Sequence, residues 1–94
     1  MASQRVIFRV HAIQRMFERS ISEQDVHEVL RTAEVVEMYP DDIPYPSRLL
    51  LGWSQGQPIH VVVAENDDEE TAIVITVYEP DDDVWEPGFR RRLR

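Results

Sequence analysis

Apolar positions along the chain change their period near residue 33. From residue 11 onward they recur every three to four residues, first Ala12, Ile13, Met16 and Phe17, then Val26, Val29, Leu30 and Ala33. That spacing predicts two amphipathic helices, the first starting near His11 and the second running from Glu23 to about Thr32. Ser22 suits the N-cap of the second helix, Asp25 stands at its third position, and Ile21 with Val26 forms a hydrophobic staple. "SISEQ" is then a tight turn between two packed helices. Before them, "RVIFRV" at 5 to 10 reads as a short strand or an extended lead-in packed on the sheet.

After Ala33 the spacing becomes that of strands. "EVVEMY" is a candidate strand leading into "YPDDIPYPS", where Pro40, Pro44 and Pro46 exclude regular structure. Three extended segments follow, at 48 to 54, 58 to 65 and 71 to 79, joined by "QGQ" and "NDDEE". Both links are short enough for hairpins. The expected fold class is α+β, with two N-terminal helices packed on an antiparallel meander of three to four strands.

Alternation assigns faces. Ile59, Val61 and Val63 oppose His60, Val62 and Ala64, while Ile73, Ile75 and Val77 oppose Val74, Thr76 and Tyr78. The aliphatic sets are expected beneath the helices, which puts His60, Thr76 and Tyr78 on the second face. Pairing Glu65 with Thr71 sets His60 opposite Thr76. Pairing Ser54 with Pro58 sets His60 opposite Gly52 and brings Arg48 and Leu50 to the same face.

Composition bounds the class. Ninety-four residues, 43% of them hydrophobic, suffice for one domain spanning 1–94, with an ordered core of about 5–86 and an arginine-rich tail at 87–94. No apolar run is long enough for a bilayer, and the first residues lack a secretory pattern, so a soluble, cytoplasmic protein without membrane contact is expected. The absence of cysteine removes disulfides, thiolate zinc sites and thiol nucleophiles. The formal net charge of −8 argues against broad electrostatic attraction to nucleic acid. Acidic residues nevertheless crowd into a few segments, including "ENDDEE" and "DDD", and all ten basic residues are arginine.

Local chemistry qualifies the net charge. On the first helix His11, Arg15 and Arg19 fall within an arc of about 80°, bordering the apolar arc. A competing expectation pairs Arg15 and Arg19 with Glu18, Glu23 or the acidic loops. His27 reads as a rim residue, "ENDDEE" as a solvated turn, Trp53 and Trp85 as packing residues, and the "FRRRLR" end as mobile and solvated. No metal-ligand spacing such as H-E-x-x-H occurs, so neither metal nor cofactor is expected.

The order of "HAIQRMFERSIS", "EVVEMYPDDIPYPSRLLLGW", "IHVVV" and "IVITVYEPDDDVWE" resembles the bacterial family called domain of unknown function 4258. The resemblance runs from about Val10 to Glu86. It implies a toxin-like protein of a toxin–antitoxin pair, encoded beside a small zinc-finger partner, with a fold similar to RelE and barnase-like endoribonucleases. The positions carried over are His11, Arg15, Arg19, His60, Thr76 and Tyr78.

RNA cleavage without a metal needs a base for the 2′-hydroxyl, an acid for the leaving oxygen and donors for phosphorane charge. Histidine serves either proton role near neutrality, and arginine's planar fork matches phosphate oxygens. The expected catalytic set is His11, His60 and Tyr78; the expected phosphate- or RNA-binding set is Arg15, Arg19, Arg48 and Thr76. RNA and a small antitoxin-like protein are the expected partners. The rival is a non-catalytic, toxin-like protein-binding module, favoured by the acidic balance and the two tryptophans.

Overall fold

The computed structural model describes residues 5–93, the Asp67 side chain excepted. Residues 1–4 and Arg94, the last of the arginine run, lie outside the described residues. The chain forms β1 (Arg5–Phe8), α1 (Val10–Arg19), α2 (Glu23–Thr32), β2 (Glu34–Tyr39), β3 (Ser47–Ser54), β4 (Gln57–Asn66) and β5 (Thr71–Tyr78). This is an α+β arrangement of two helices on one face of a five-stranded sheet ordered β1-β5-β4-β3-β2.

The sheet is mixed, where an all-antiparallel meander was expected. β1 lies parallel to β5, pairing Arg5 through Phe8 with Thr71 through Val74. The connection from β1 to β5 passes through every other element, so nothing in the local spacing of "RVIF" gives the direction of its pairing.

The helices start and stop for local reasons. Ser22 Oγ accepts the Asp25 backbone N–H at 3.0 Å, and the Asp25 carboxylate accepts the Ser22 N–H at 2.8 Å. This reciprocal pair satisfies two donors that a helix start leaves without partners. The other Asp25 oxygen accepts the Ser54 hydroxyl at 2.6 Å, tying the start of α2 to the end of β3. Helix α1 ends where Ser20 turns left-handed (φ 56°) and the Ile21 N–H reaches back to the Met16 carbonyl.

Ala12 and Met16 from α1, with Val26 and Val29 from α2, pack on Leu50, Ile59, Val61, Val63, Ala72, Val74 and Val77. Ile59, Val61 and Val63 therefore lie beneath the helices, as alternation predicts. In β5 the phase differs. A bulge between Val62 and Val63 lets Val62 pair with Thr76 and Val63 with Val74, so β5 holds one extra residue, Ile75. Ala72 and Val74 point inward before it and Val77 after it. Ile73, expected beneath the helices, instead shares the second face with its partner Ala64.

The β3–β4 turn also departs from expectation by one residue. Gln55 (φ 53°) and Gly56 (φ 78°) make a two-residue turn in which both central residues are left-handed, and Ser54 pairs with Gln57. His60 consequently lies opposite Leu51, and Gly52 opposite Ile59. Arg48 and Leu50 move to the helix face, opposite Val63 and Val61.

The second face is covered. Residues 84 to 93 fold back over it through backbone bonds from Leu93 N–H to the Val84 carbonyl and from Glu86 N–H to the Arg91 carbonyl, each 2.8 Å. Trp85 is buried in this layer with Leu49 and Leu51. Arg90 bonds Glu34, and Arg92 grips both oxygens of Glu37 at 2.8 and 3.2 Å. The segment expected as a mobile, solvated end is thus folded onto the sheet as far as Leu93.

Candidate functional site

β1 ends opposite Val74, leaving Ile75 through Tyr78 without a strand on that side. Helix α1 packs along β5, and its basic stripe meets the second-face residues around this open edge. The result is a cleft of about 330 Å³ lined by His11, Arg15, Arg19, Thr76 and Tyr78, together with Glu79, Asp81, Val84, Trp85 and Arg92. Five of the seven sequence-selected residues are brought together here. The two groups are separated by more than fifty residues in the chain, and the bulge at Ile75 makes their meeting possible, because without it Thr76 and Tyr78 would face the helices.

Arg15 and Arg19 form no ion pair among the described residues; the four salt bridges found there are Arg31–Glu28, Arg48–Glu65, Arg90–Glu34 and Arg92–Glu37. The expectation that Glu18, Glu23 or the acidic loops neutralise the stripe is not met. Two permanent cations therefore stand uncompensated by direct pairing in an acidic chain, with Glu79 and Asp81 forming the opposite sign on the cleft wall.

Arg48 is not part of this cleft. It pairs with Glu65 on the helix face, beside Pro46 and Met38, because the two-residue turn sets the register that carries it there.

His60 is brought close but not into the cleft. It is 0% exposed, held edge-on against Trp85 with ring centres 4.5 Å apart. Its Nδ1 lies 3.2 Å from the Tyr78 hydroxyl and its Nε2 lies 3.0 Å from the Phe89 carbonyl oxygen. Burial pushes the His60 imidazole below its ordinary pKa; the Phe89 carbonyl opposes that, Arg92 adds to it, and Glu37 opposes it. Burial likewise raises the Tyr78 phenol. His60 thus reaches the cleft only through Tyr78.

Sequence reasoning missed the contribution of the C-terminal segment. Trp85 forms part of the cleft wall, and the Arg92 guanidinium lies over its ring at 4.6 Å. A signal was present in "WEPGFR". Pro87 and Gly88 occupy the central positions of a turn in which Gly88 has φ 93° and the Phe89 N–H bonds the Glu86 carbonyl at 2.9 Å. Proline followed by glycine is the pattern of a turn that reverses the chain.

With this geometry in hand, comparison with known families gives one result. Residues 8–79 match the model of the family described as Domain of unknown function (DUF4258). The chain belongs to that family. The DUF4258 match takes in α1, β4 and β5, and hence His11, Arg15, Arg19, His60, Thr76 and Tyr78; the residues that bury His60 from above follow it in the chain. Neither the curated proteins nor the solved structures provide a match to the chain. No described helix is long and apolar enough to cross a membrane.

Proposed function

We propose that this DUF4258 protein is a metal-independent endoribonuclease, acting as the toxin of a bacterial toxin–antitoxin pair with a RelE- or barnase-like fold, and that its chemistry takes place in the cleft at the open edge of β5. The observation that carries this reading is the convergence of His11, Arg15 and Arg19, which pair with no carboxylate among the described residues, on Thr76 and Tyr78. Arg15 and Arg19 bind the phosphate and stabilise the charge that develops on it. Thr76 adds a hydrogen bond, Tyr78 receives the 2′-hydroxyl proton, and His11 protonates the leaving 5′-oxygen.

Induced expression in a bacterial host tests this reading, with the purified protein assayed on a panel of single-stranded RNAs. Wild type is expected to arrest growth and cleave RNA, and His11→Ala to abolish both while folding normally. A wild-type protein that neither arrests growth nor cleaves any RNA rejects the enzyme. That result favours the second reading, a protein-binding module, for which α1 supplies an observation: Val10, Ile13 and Phe17 follow one flank of the helix and Phe17 is 88% exposed.

A further inference from the structure

Tyr78 is where the cleft meets the buried interior, and its proton is accounted for by the atoms around His60. The Phe89 carbonyl oxygen, 3.0 Å from His60 Nε2, can only accept a hydrogen bond, so Nε2 carries a proton. In a neutral imidazole Nδ1 is then a bare acceptor, and the Tyr78 hydroxyl 3.2 Å away must be its donor. The Tyr78 O–H therefore points inward, and its oxygen lone pairs are presented to the cleft. A buried imidazole with both nitrogens satisfied in this way has one proton position left to fill.

We propose that His60 is a positioning residue that acts through Tyr78, fixing its hydroxyl inward and accepting its proton when Tyr78 takes one from the substrate. This rests on the nuclease reading above. The proton of the 2′-hydroxyl passes to the Tyr78 oxygen as the Tyr78 proton passes to His60 Nδ1. The 2′-oxygen bonds to phosphorus, the bond from phosphorus to the 5′-oxygen breaks, and that oxygen takes a proton from protonated His11. A 2′,3′-cyclic phosphate and a 5′-hydroxyl result, with His60 charged and His11 neutral until solvent restores both.

The groups packed around His60 fit this cycle. Tyr78 faces it from β5, Leu51 from β3, Glu37 from β2, and Trp85, Phe89 and Arg92 from the C-terminal segment. Burial keeps the imidazole neutral at the start, as an acceptor must be. The Phe89 carbonyl continues to accept from Nε2 once the imidazolium forms, and Glu37 offsets part of the repulsion from Arg92. The C-terminal segment, outside the family match at 8–79, thereby sets the tautomer on which the cleft depends.

Two measurements test the proposal. Long-range 1H–15N NMR of the full-length protein at pH 7 is expected to show His60 protonated on Nε2 only, with the Nδ1 resonance moving in Tyr78→Phe. A proton on Nδ1, an imidazolium, or an Nδ1 signal unmoved by Tyr78→Phe overturns it. In the cleavage assay, His60→Asn keeps an acceptor for Tyr78 but cannot take its proton. It is expected to lower kcat about 10²-fold or more with KM little changed, as is Tyr78→Phe, and the double variant is expected to be no slower than either. Wild-type kcat in His60→Asn, or losses that multiply in the double variant, overturns the relay. Tyr78→Phe removes one exchangeable group and keeps the ring, so the cycle retains a folded member. Should wild type cleave nothing, the nuclease reading fails, and NMR alone decides whether Tyr78 donates to His60.

Discussion

Arg15 and Arg19 of α1, which form no ion pair among the described residues, predict how binding of a single-stranded nucleic acid depends on salt. Each phosphate neutralised on a single strand contributes about −0.7 to the slope of log Kobs against log salt. Arg92 also lines the cleft, but both oxygens of Glu37 already hold it, so Arg15 and Arg19 are the cations left to release counterions. The expected slope is about −1.4, so affinity falls about sevenfold when salt rises fourfold, from about 50 to about 200 mM. Removing either arginine leaves a slope of about −0.7, a fall of about 2.6-fold over the same range. The assay is fluorescence anisotropy with a labelled 2′-deoxy single strand, which lacks the nucleophile and stays intact. It is run at one fixed pH throughout, for wild type and variants alike. A slope near zero for wild type, or one unchanged in Arg15→Gln and Arg19→Gln, refutes the reasoning and places any nucleic-acid contact elsewhere.

Other consequences concern stability. A Cβ on Gly52 would meet Val29 Cγ1 at 2.7 Å and Val29 Cα at 3.0 Å, so Gly52→Ala is expected to lower unfolding free energy by about 1–3 kcal/mol in urea titration, and a change within about 0.5 kcal/mol contradicts the close packing of α2 on β3. Trp85→Ala empties a buried site over His60 and is expected to cost about 3–5 kcal/mol, with faster amide exchange in residues 84 to 93; unchanged exchange there means that Trp85 does not anchor the segment. Stability also depends on pH. Burial depresses His60, the Arg92 hydrogen bond depresses Glu37, and the Ser54 hydroxyl depresses Asp25, so each group binds fewer protons folded than unfolded. Their contributions are fully present above the ordinary pKa of each group and are lost as pH falls through the depressed folded value. The urea midpoint is therefore expected to decline on acidification, beginning near the imidazole range of about 6.5 and continuing through the carboxylate range, whereas a flat midpoint from pH 8 to 4 rules this linkage out.

What was legible in the sequence was what neighbouring residues decide among themselves. Helix α2 begins at Glu23 and ends at Thr32 as predicted because Ser22, Asp25 and the Ile21–Val26 pair specify its start within a few residues. The stripe of α1 was equally plain, since helical geometry alone puts His11, Arg15 and Arg19 on one flank. Assignments that required counting across hairpins were less secure. A Ser54–Pro58 pair would put Arg48 with His60, and one residue of turn geometry sends it to the opposite face. The parallel pairing of β1 and the closure of residues 84 to 93 over His60 are long-range events with only indirect local marks. The same closure turns His60 from a candidate surface group into a buried one.

The extra residue in β5 has a consequence for how this protein tolerates change. Strand residues before Ile75 and those after it obey opposite parities, and both the core residue Val77 and the cleft residues Thr76 and Tyr78 depend on that offset. Conservative replacements within the strand leave the count intact. Loss of Ile75 itself would leave Val74 inward, Thr76 outward, Val77 inward and Tyr78 outward in strict alternation, with the pairs Val63–Val74 and Val62–Thr76 unchanged, whereas drawing Ile75 into the ladder would send Thr76 and Tyr78 toward the helices and Val77 toward the cleft. The strand is therefore tolerant of losing the one residue that has no partner, and what exchanges its interior and its working surface is a slip that pairs Ile75 while keeping the chain length.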